Sequence, residues 1–195
     1  MTKVWSFDVF DTLLGRMVDD SKQIFIRAAR HLGADRVLPM SPQAYASERV
    51  DAERRLLAQG FLPTLEEIGR ELARRTRIDP QLLEALLNYE LVLEAAELWP
   101  IPDNVELVRR RRSSGSRIIF TSDTYLSSAF ISELLARHSI SLPGEPVFVS
   151  CEHRAGKKTG ELFLRVAETF GIECSDISHV GDNRAADLEG PRKVG

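Results

Sequence analysis

The sequence predicts an α/β protein, an open parallel sheet covered by helices, with a wholly helical stretch inserted near its start. Two observations carry this. Four short runs of β-formers, Val4 to Phe7, Arg117 to Phe120, Pro146 to Val149 and Ile177 to Val180, are largely apolar rather than alternating, and each stops abruptly at polar residues. That is how strands buried on both faces read, and it places polar side chains at one edge of the sheet. Helical segments separate the last three runs, whereas only helical periodicity lies between the first and the second. A chain of 195 residues, 43% apolar and 28% charged with a net charge of -3, is large enough for one substantial core with a smaller appendage.

Taken in order, the first strand ends in Asp8, Phe10, Asp11 and Thr12. Ile24, Ile26, Ala28, Ala29 and Leu32 then form a helical stripe closed by Gly33, and Ala44 to Leu57 continues with good helix formers. Leu65 to Ala73 is a third helix, for which Thr64 and Glu67 have the spacing of a capping box. Asp79-Pro80 opens a fourth that runs to about Leu98. From Trp99-Pro100 the alternation resumes. Asp103 or Asn104 is expected to cap a helix through Arg112, whose arginines suit a helix carboxyl end. Helices at about Tyr125 to His138 and Gly160 to Phe170 complete the alternation. The expected division is residues 1–15 and 99–195 as the core and 16–98 as a helical cap.

Composition narrows the class of function. There is no basic field for nucleic acid, no apolar stretch approaching about 18 residues, and no charged-then-apolar leader. Cys151 and Cys174 lack metal-ligand spacing and suit a reducing compartment, so the cytoplasm is expected. Ligands of open α/β sheets bind at the carboxyl ends of the strands, and there the four runs offer Asp8, then Thr121 or Ser122, then Lys157 or Lys158, then Asp182 and Asp187. A carboxylate nucleophile, a hydroxyl donor, a cation and metal-binding carboxylates are what phosphoryl transfer through an aspartyl-phosphate requires. A hard cation neutralises phosphate oxygens while the lysine holds the charged nucleophile.

In that order and spacing the sequence resembles the haloacid dehalogenase-like (HAD) superfamily. The Asp-x-x-x-Thr-Leu motif is matched by Asp8 to Leu13, the strand ending in Ser or Thr by Ile118 to Ser122, the motif lysine by Lys157 or Lys158, and Gly-Asp-x-x-x-x-Asp by Gly181, Asp182 and Asp187. The resemblance runs from Val4 to about Gly190. It implies a Rossmann-like core and a helical cap. It also implies Asp8 as nucleophile, Ser122 or Thr121 as phosphate donor, and a magnesium site made by Asp8, the Phe10 carbonyl, Asp182 and Asp187. Thr12, Asp123 and His153 are further candidates for contact with a small phosphorylated metabolite or sugar phosphate. Phe-Asp-Val-Phe-Asp-Thr-Leu-Leu, Ser122 to Leu126 and Thr159 to Phe163 are similar to a group of HAD hydrolases often fused to bacterial glycosyltransferases. The ending Pro191 to Gly195 reads as a transition into further sequence, which fits such a fusion.

One position departs from the family's phosphatases. The residue two after the nucleophile is their general acid and base; here it is Phe10, with a carboxylate one residue later at Asp11. Adjacent residues of an extended chain point to opposite sides, so Asp11 is not expected to replace it. Losing such a group costs about 10² to 10⁴ in rate for a poor leaving group. Three readings follow: a metal-dependent phosphohydrolase that is slow or confined to good leaving groups, a dehalogenase-like displacement at carbon, and a non-catalytic module scaffolding a fused glycosyltransferase. Elsewhere His179 reads as a packed core histidine, Asp123 as a helix cap or ligand contact, and Asn183 as a turn residue or a partner of Asp182. Tyr45, Arg49 and Arg54 are expected on a solvated face of the helical insert.

Overall fold

The computed structural model describes residues 3–17, 20–33 and 38–195. Strand β1 (Val4–Phe7) leads through a tight loop to β2 (Leu14–Arg16). Four helices follow, α1 (Lys22–Gly33), α2 (Pro42–Ala58), α3 (Leu65–Arg75) and α4 (Pro80–Glu97). Then come β3 (Leu98–Pro100), α5 (Pro102–Ser113), β4 (Arg117–Ser122), α6 (Ser128–Arg137), β5 (Val147–Val149), α7 (Ser150–His153), α8 (Glu161–Phe170) and β6 (Ile177–Val180). The chain divides into two compact units, Met1–Arg16 with Trp99–Gly195, and Met17–Leu98.

The first unit is organised by β1. It pairs in parallel with β4, Ser6 opposite Ile119, and with β6, Ser6 opposite His179, and β5 extends the sheet beyond β4 to give the order β5-β4-β1-β6. A central strand covered on both faces must be apolar for most of its length, and Val4, Phe7, Ile119 and Phe120 are at most 1% exposed. Leu162 and Val166 of α8 close over Val4, Ile119 and Phe148 as one buried cluster. Because all four strands run the same way, all four carboxyl ends lie along one edge.

Helix starts differ from expectation in two places. Pro102 begins α5, with Ile101 preceding it and no side chain capping it, because the fixed φ of proline suits a first helical position. Asp103 therefore lies in the first turn, and the Asn104 amide instead donates to the Thr12 carbonyl at 2.7 Å. Helix α6 begins at Ser128, capped by the Ser127 hydroxyl, so Asp123 is not a cap. The expected capping box at Thr64 and Glu67 is present.

The second unit is α1 to α4 packed on one another, with Ile24, Ala28, Ile68, Leu72 and Leu86 fully buried. Tyr45 and Arg49 are corrections to the sequence reading. Both are interior, 1% and 0% exposed, while Arg54 is exposed. The Arg49 guanidinium reaches Glu90 at 2.8 and 3.1 Å and Glu53 at 3.0 Å, and lies over the Phe25 ring at 4.6 Å. Its main partner is on α4, 41 positions away, so helical periodicity around Arg49 carries no sign of it.

Candidate active site

The loop after β1 presents the candidate nucleophile by turning sharply back on itself. Leu13 and Leu14 both donate their N–H to the Val9 carbonyl at 2.9 Å, and Asp11 donates to Leu14 at 2.8 Å. Asp11 takes a left-handed φ of 58°, a conformation aspartate tolerates better than most residues. It is exposed, whereas Asp8 is 6% exposed and tied to β6 by an N–H to Val180 at 2.8 Å. Phe10 is half-buried with the Arg16 guanidinium 4.7 Å from its ring centroid.

Lys157 lies 3% exposed beside Asp8, its Nζ donating to Asp8 Oδ1 at 2.5 Å and to Asp187 Oδ1 at 2.6 Å. The adjacent Lys158 is exposed, its carbonyl accepting from Lys193 at 2.8 Å. Asp123 fixes the choice between them. Its carboxylate accepts the Lys157 backbone N–H at 2.9 and 3.2 Å, which anchors the loop so that the Lys157 side chain points inward.

Thr12 bridges two acids, its hydroxyl lying 3.1 Å from Asp8 Oδ2 and 3.2 Å from Asp182 Oδ1. Asp182 is exposed at the end of β6. Asp187 is carried back into the site by a π-helical turn over Arg184–Glu189, capped by the Asn183 side chain. Its approach requires glycine at position 181, where a Cβ would lie 2.2 Å from Asp187 Cγ. Asp8, Asp182 and Asp187 each present a carboxylate oxygen within 4.8 Å of the others. These oxygens suit a hard divalent cation, and three carboxylates against one lysine leave an excess of negative charge. Of the three, Asp187 receives the most donors, Lys157 and His179 on Oδ1 and the Asn183 N–H on Oδ2, against Lys157 and Thr12 for Asp8 and Thr12 for Asp182.

The electrostatics follow from this packing. Burial raises the pKa of Asp8 to about 6, with Asp187 adding repulsion and Lys157 opposing the rise. Burial also acts to raise Asp187, but hydrogen bonds from His179, Lys157 and Asn183 outweigh it and bring the pKa to about 2. Burial acts to lower Lys157, and the two carboxylates reverse that, so it remains charged. His179 is lowered by burial, which favours the neutral ring.

Ser122 and Thr121 end β4 as expected, at 2% and 0% exposure. They face opposite ways, and the Thr121 hydroxyl is 3.0 Å from that of Ser6, in the sheet interior. His153 is not drawn to the acids: its half-buried ring stacks on Phe148, centroids 5.3 Å apart. His179 is buried, as the sequence reading expects of a core histidine, yet it touches Asp187 at 2.9 Å, which that reading does not include. The available signal is its place in the strand immediately before Gly181-Asp182.

A parallel sheet that gathers a buried aspartate, a lysine and further carboxylates at its carboxyl edge defines a hydrolase-type site. A family model described as haloacid dehalogenase-like hydrolase matches residues 2–195, and the chain belongs to that family. No curated protein matches the sequence. Among solved structures, the chain is similar to a 2-haloacid dehalogenase from Pseudomonas syringae pv. Tomato DC3000, with a TM-score of 0.71 at 16% identity over 100% of this chain and 84% of that one. It is also similar to a HAD phosphatase from Thermococcus onnurineus, with a TM-score of 0.63 at 18% identity over 99% and 83% of the two chains. A HAD hydrolase from Bacillus subtilis, YfnB, bound to magnesium, gives 0.62 at 17% over 100% and 86%. At these identities the likeness is one of fold, and it spans dehalogenases and phosphatases alike.

Proposed function

We propose that the protein is a metal-dependent phosphohydrolase acting on small phosphorylated metabolites through an aspartyl-phosphate at Asp8, with the helical unit as its cap. The observation that carries this reading is the exposed Asp182 carboxylate joined through Thr12 to buried Asp8. Displacement of halide from carbon needs no cation beside the nucleophile, whereas phosphoryl transfer needs positive charge bound on that side. Asp8, Asp182 and the Phe10 carbonyl would hold magnesium, and Asp187 would act mainly through Lys157. The cation, when bound, supplies charge neutralisation for phosphate oxygens.

The remaining chemistry belongs to the chain. Asp8 attacks phosphorus, the bond to the leaving oxygen breaks, and that oxygen departs with the electron pair. Lys157 balances the charge of Asp8 before attack and of the phosphorylated carboxyl after it, and Ser122 donates a hydrogen bond to a phosphate oxygen. Water then attacks phosphorus, the bond from phosphorus to the Asp8 oxygen breaks to restore the carboxylate, and the water's proton leaves on the released phosphate. Phe10 supplies no proton to the leaving group, so acyl phosphates and other good leaving groups are the favoured substrates. Phe10 is also the observation that favours the second reading, dehalogenase-like hydrolysis.

Phosphate release separates the readings, measured with and without magnesium across acyl phosphates, sugar phosphates and alkyl monoesters, with Asp8→Asn as the blank. The expected result is magnesium-dependent turnover, fastest on acyl phosphates and lost in the variant. Halide release from 2-haloacids without magnesium would transfer the assignment to dehalogenation. No turnover above the blank on any substrate would leave the non-catalytic module, with a fused glycosyltransferase as its natural partner.

A further inference from the structure

Behind Asp187 a row of buried polar groups crosses the face of the sheet that carries the apolar Val4, Ile119 and Phe148. Ser6 and Thr121 are fully buried and the His179 side chain is 3% exposed. Ser6 and His179 are neighbours in register, and Thr121 lies two residues beyond Ile119, the residue opposite Ser6, so all three share one face. Helix α8 covers that face, with Phe163 edge-on to the His179 ring at 4.9 Å between centroids. Valine or alanine at these positions would pack without polar partners, whereas each hydroxyl and ring nitrogen must find one.

The partners are matched in one direction only. The Asp187 carboxylate can only accept, so His179 Nε2 carries hydrogen and donates to Oδ1 at 2.9 Å. Nδ1 of the neutral ring is then a lone pair, so the Ser6 hydroxyl donates to it at 2.9 Å. The Ser6 oxygen in turn accepts from the Thr121 hydroxyl at 3.0 Å. At the far end, Asp187 Oδ1 receives His179 and Lys157 together, while Oδ2 takes the Asn183 N–H at 2.9 Å. With a donor fixed on each oxygen, the carboxylate plane cannot turn. A lysine carries a long, flexible stem with about 2 kcal/mol of rotamer entropy. A fixed second anchor is therefore what keeps its Nζ within 2.5 Å of Asp8.

We propose that His179, its ring braced at Nδ1 by the Ser6 and Thr121 hydroxyls while Nε2–H donates to Asp187, is a positioning residue that locks Asp187 and thereby aims Lys157 at the nucleophile. This rests on the reading of Asp8 as nucleophile and Lys157 as its cation. Groups that orient a catalytic side chain from behind are worth roughly 10- to 100-fold in activity.

Two measurements test it. His179→Leu is expected to lower kcat by roughly 10- to 100-fold with KM little changed, and His179→Gln, whose amide nitrogen can stand where Nε2 stands, to recover most of the loss. Equal losses in the two variants, or a loss confined to KM, would overturn the proposal. The second measurement needs no substrate. Nitrogen NMR of the wild-type imidazole is expected to show a protonated Nε2 and a bare, hydrogen-bonded Nδ1, with Ser6→Ala leaving Nε2 protonated and shifting Nδ1 to the position of a lone pair that has lost its donor. A protonated Nδ1 in the wild type, or an Nδ1 signal indifferent to Ser6→Ala, would overturn the proposal whatever the enzyme turns over. If the tautomer behaves as expected and no phosphate compound is hydrolysed, the failure lies with the phosphohydrolase reading.

Discussion

Replacing Asp8, the proposed nucleophile, should stabilise the metal-free protein. Asp8 titrates at about 6 in the fold against an ordinary value of 3.8, because burial outweighs its contact with Lys157. Below about pH 4 the carboxyl is protonated in both the folded and the unfolded chain and costs nothing. As pH rises from 4 to 6 the unfolded chain releases its proton first, the folded chain binds more protons, and stability falls; above 6 the cost is constant. From the difference between 3.8 and about 6, the cost at neutral pH is on the order of 3 kcal/mol. Asp8→Asn removes the titration, keeps the shape, and leaves Lys157 its contact with Asp187 at 2.6 Å. Urea unfolding at a series of pH values is expected to show the variant more stable by up to about that amount at pH 7, with the gap shrinking towards pH 4. Magnesium at 100 times its Kd should then raise only the wild type by roughly 3 kcal/mol and close the gap. A variant no more stable than wild type at pH 7, or a gap that does not change between pH 4 and pH 7, would refute the account of Asp8 as a carboxylate held ionised against its surroundings.

Adjacent lysines should behave as opposites. Lys157→Met leaves Asp8 and Asp187 facing each other, so activity is expected to disappear and stability to fall by about 3 to 5 kcal/mol, while Lys158→Met stays within about 0.5 kcal/mol in the same unfolding assay. Phe10→Asp restores a carboxyl where the family's phosphatases have one, and hydrolysis of alkyl monoesters is expected to rise by about 10²-fold or more; an unchanged ratio of monoester to acyl phosphate rates would show that Phe10 is not the limit. Gly181→Ala places a methyl group 2.2 Å from Asp187 Cγ, and the displaced carboxylate should cost about 1 to 3 kcal/mol and most of the activity, read by thermal unfolding and phosphate release.

How much of this site was legible depended on the range over which each signal acts. The glycine at 181 and the acids at 182 and 187 are local pattern, as is the Thr64–Glu67 capping box, so their types and spacings are readable directly. The choice between Lys157 and Lys158 was not, because it is made by Asp123, 34 positions earlier, holding the Lys157 N–H. Arg49 is the same case, with its partner Glu90 on another helix. His153 sits at the expected end of β5 but stacks on Phe148, an aromatic contact that no spacing predicts.

By itself, the sequence determined the α/β class, the four strands and the acid-bearing edge, because apolar runs and their polar ends are imposed by burial along the chain. Only the tertiary structure decided that Thr121, Ser6, His179, Asp187, Lys157 and Asp8 form one connected line. Those residues come from three adjacent strands, two loops and a π-helical turn, and hydrogen bonds between such elements depend on the register and twist of the sheet, to which the order of residues along the chain gives no local signal.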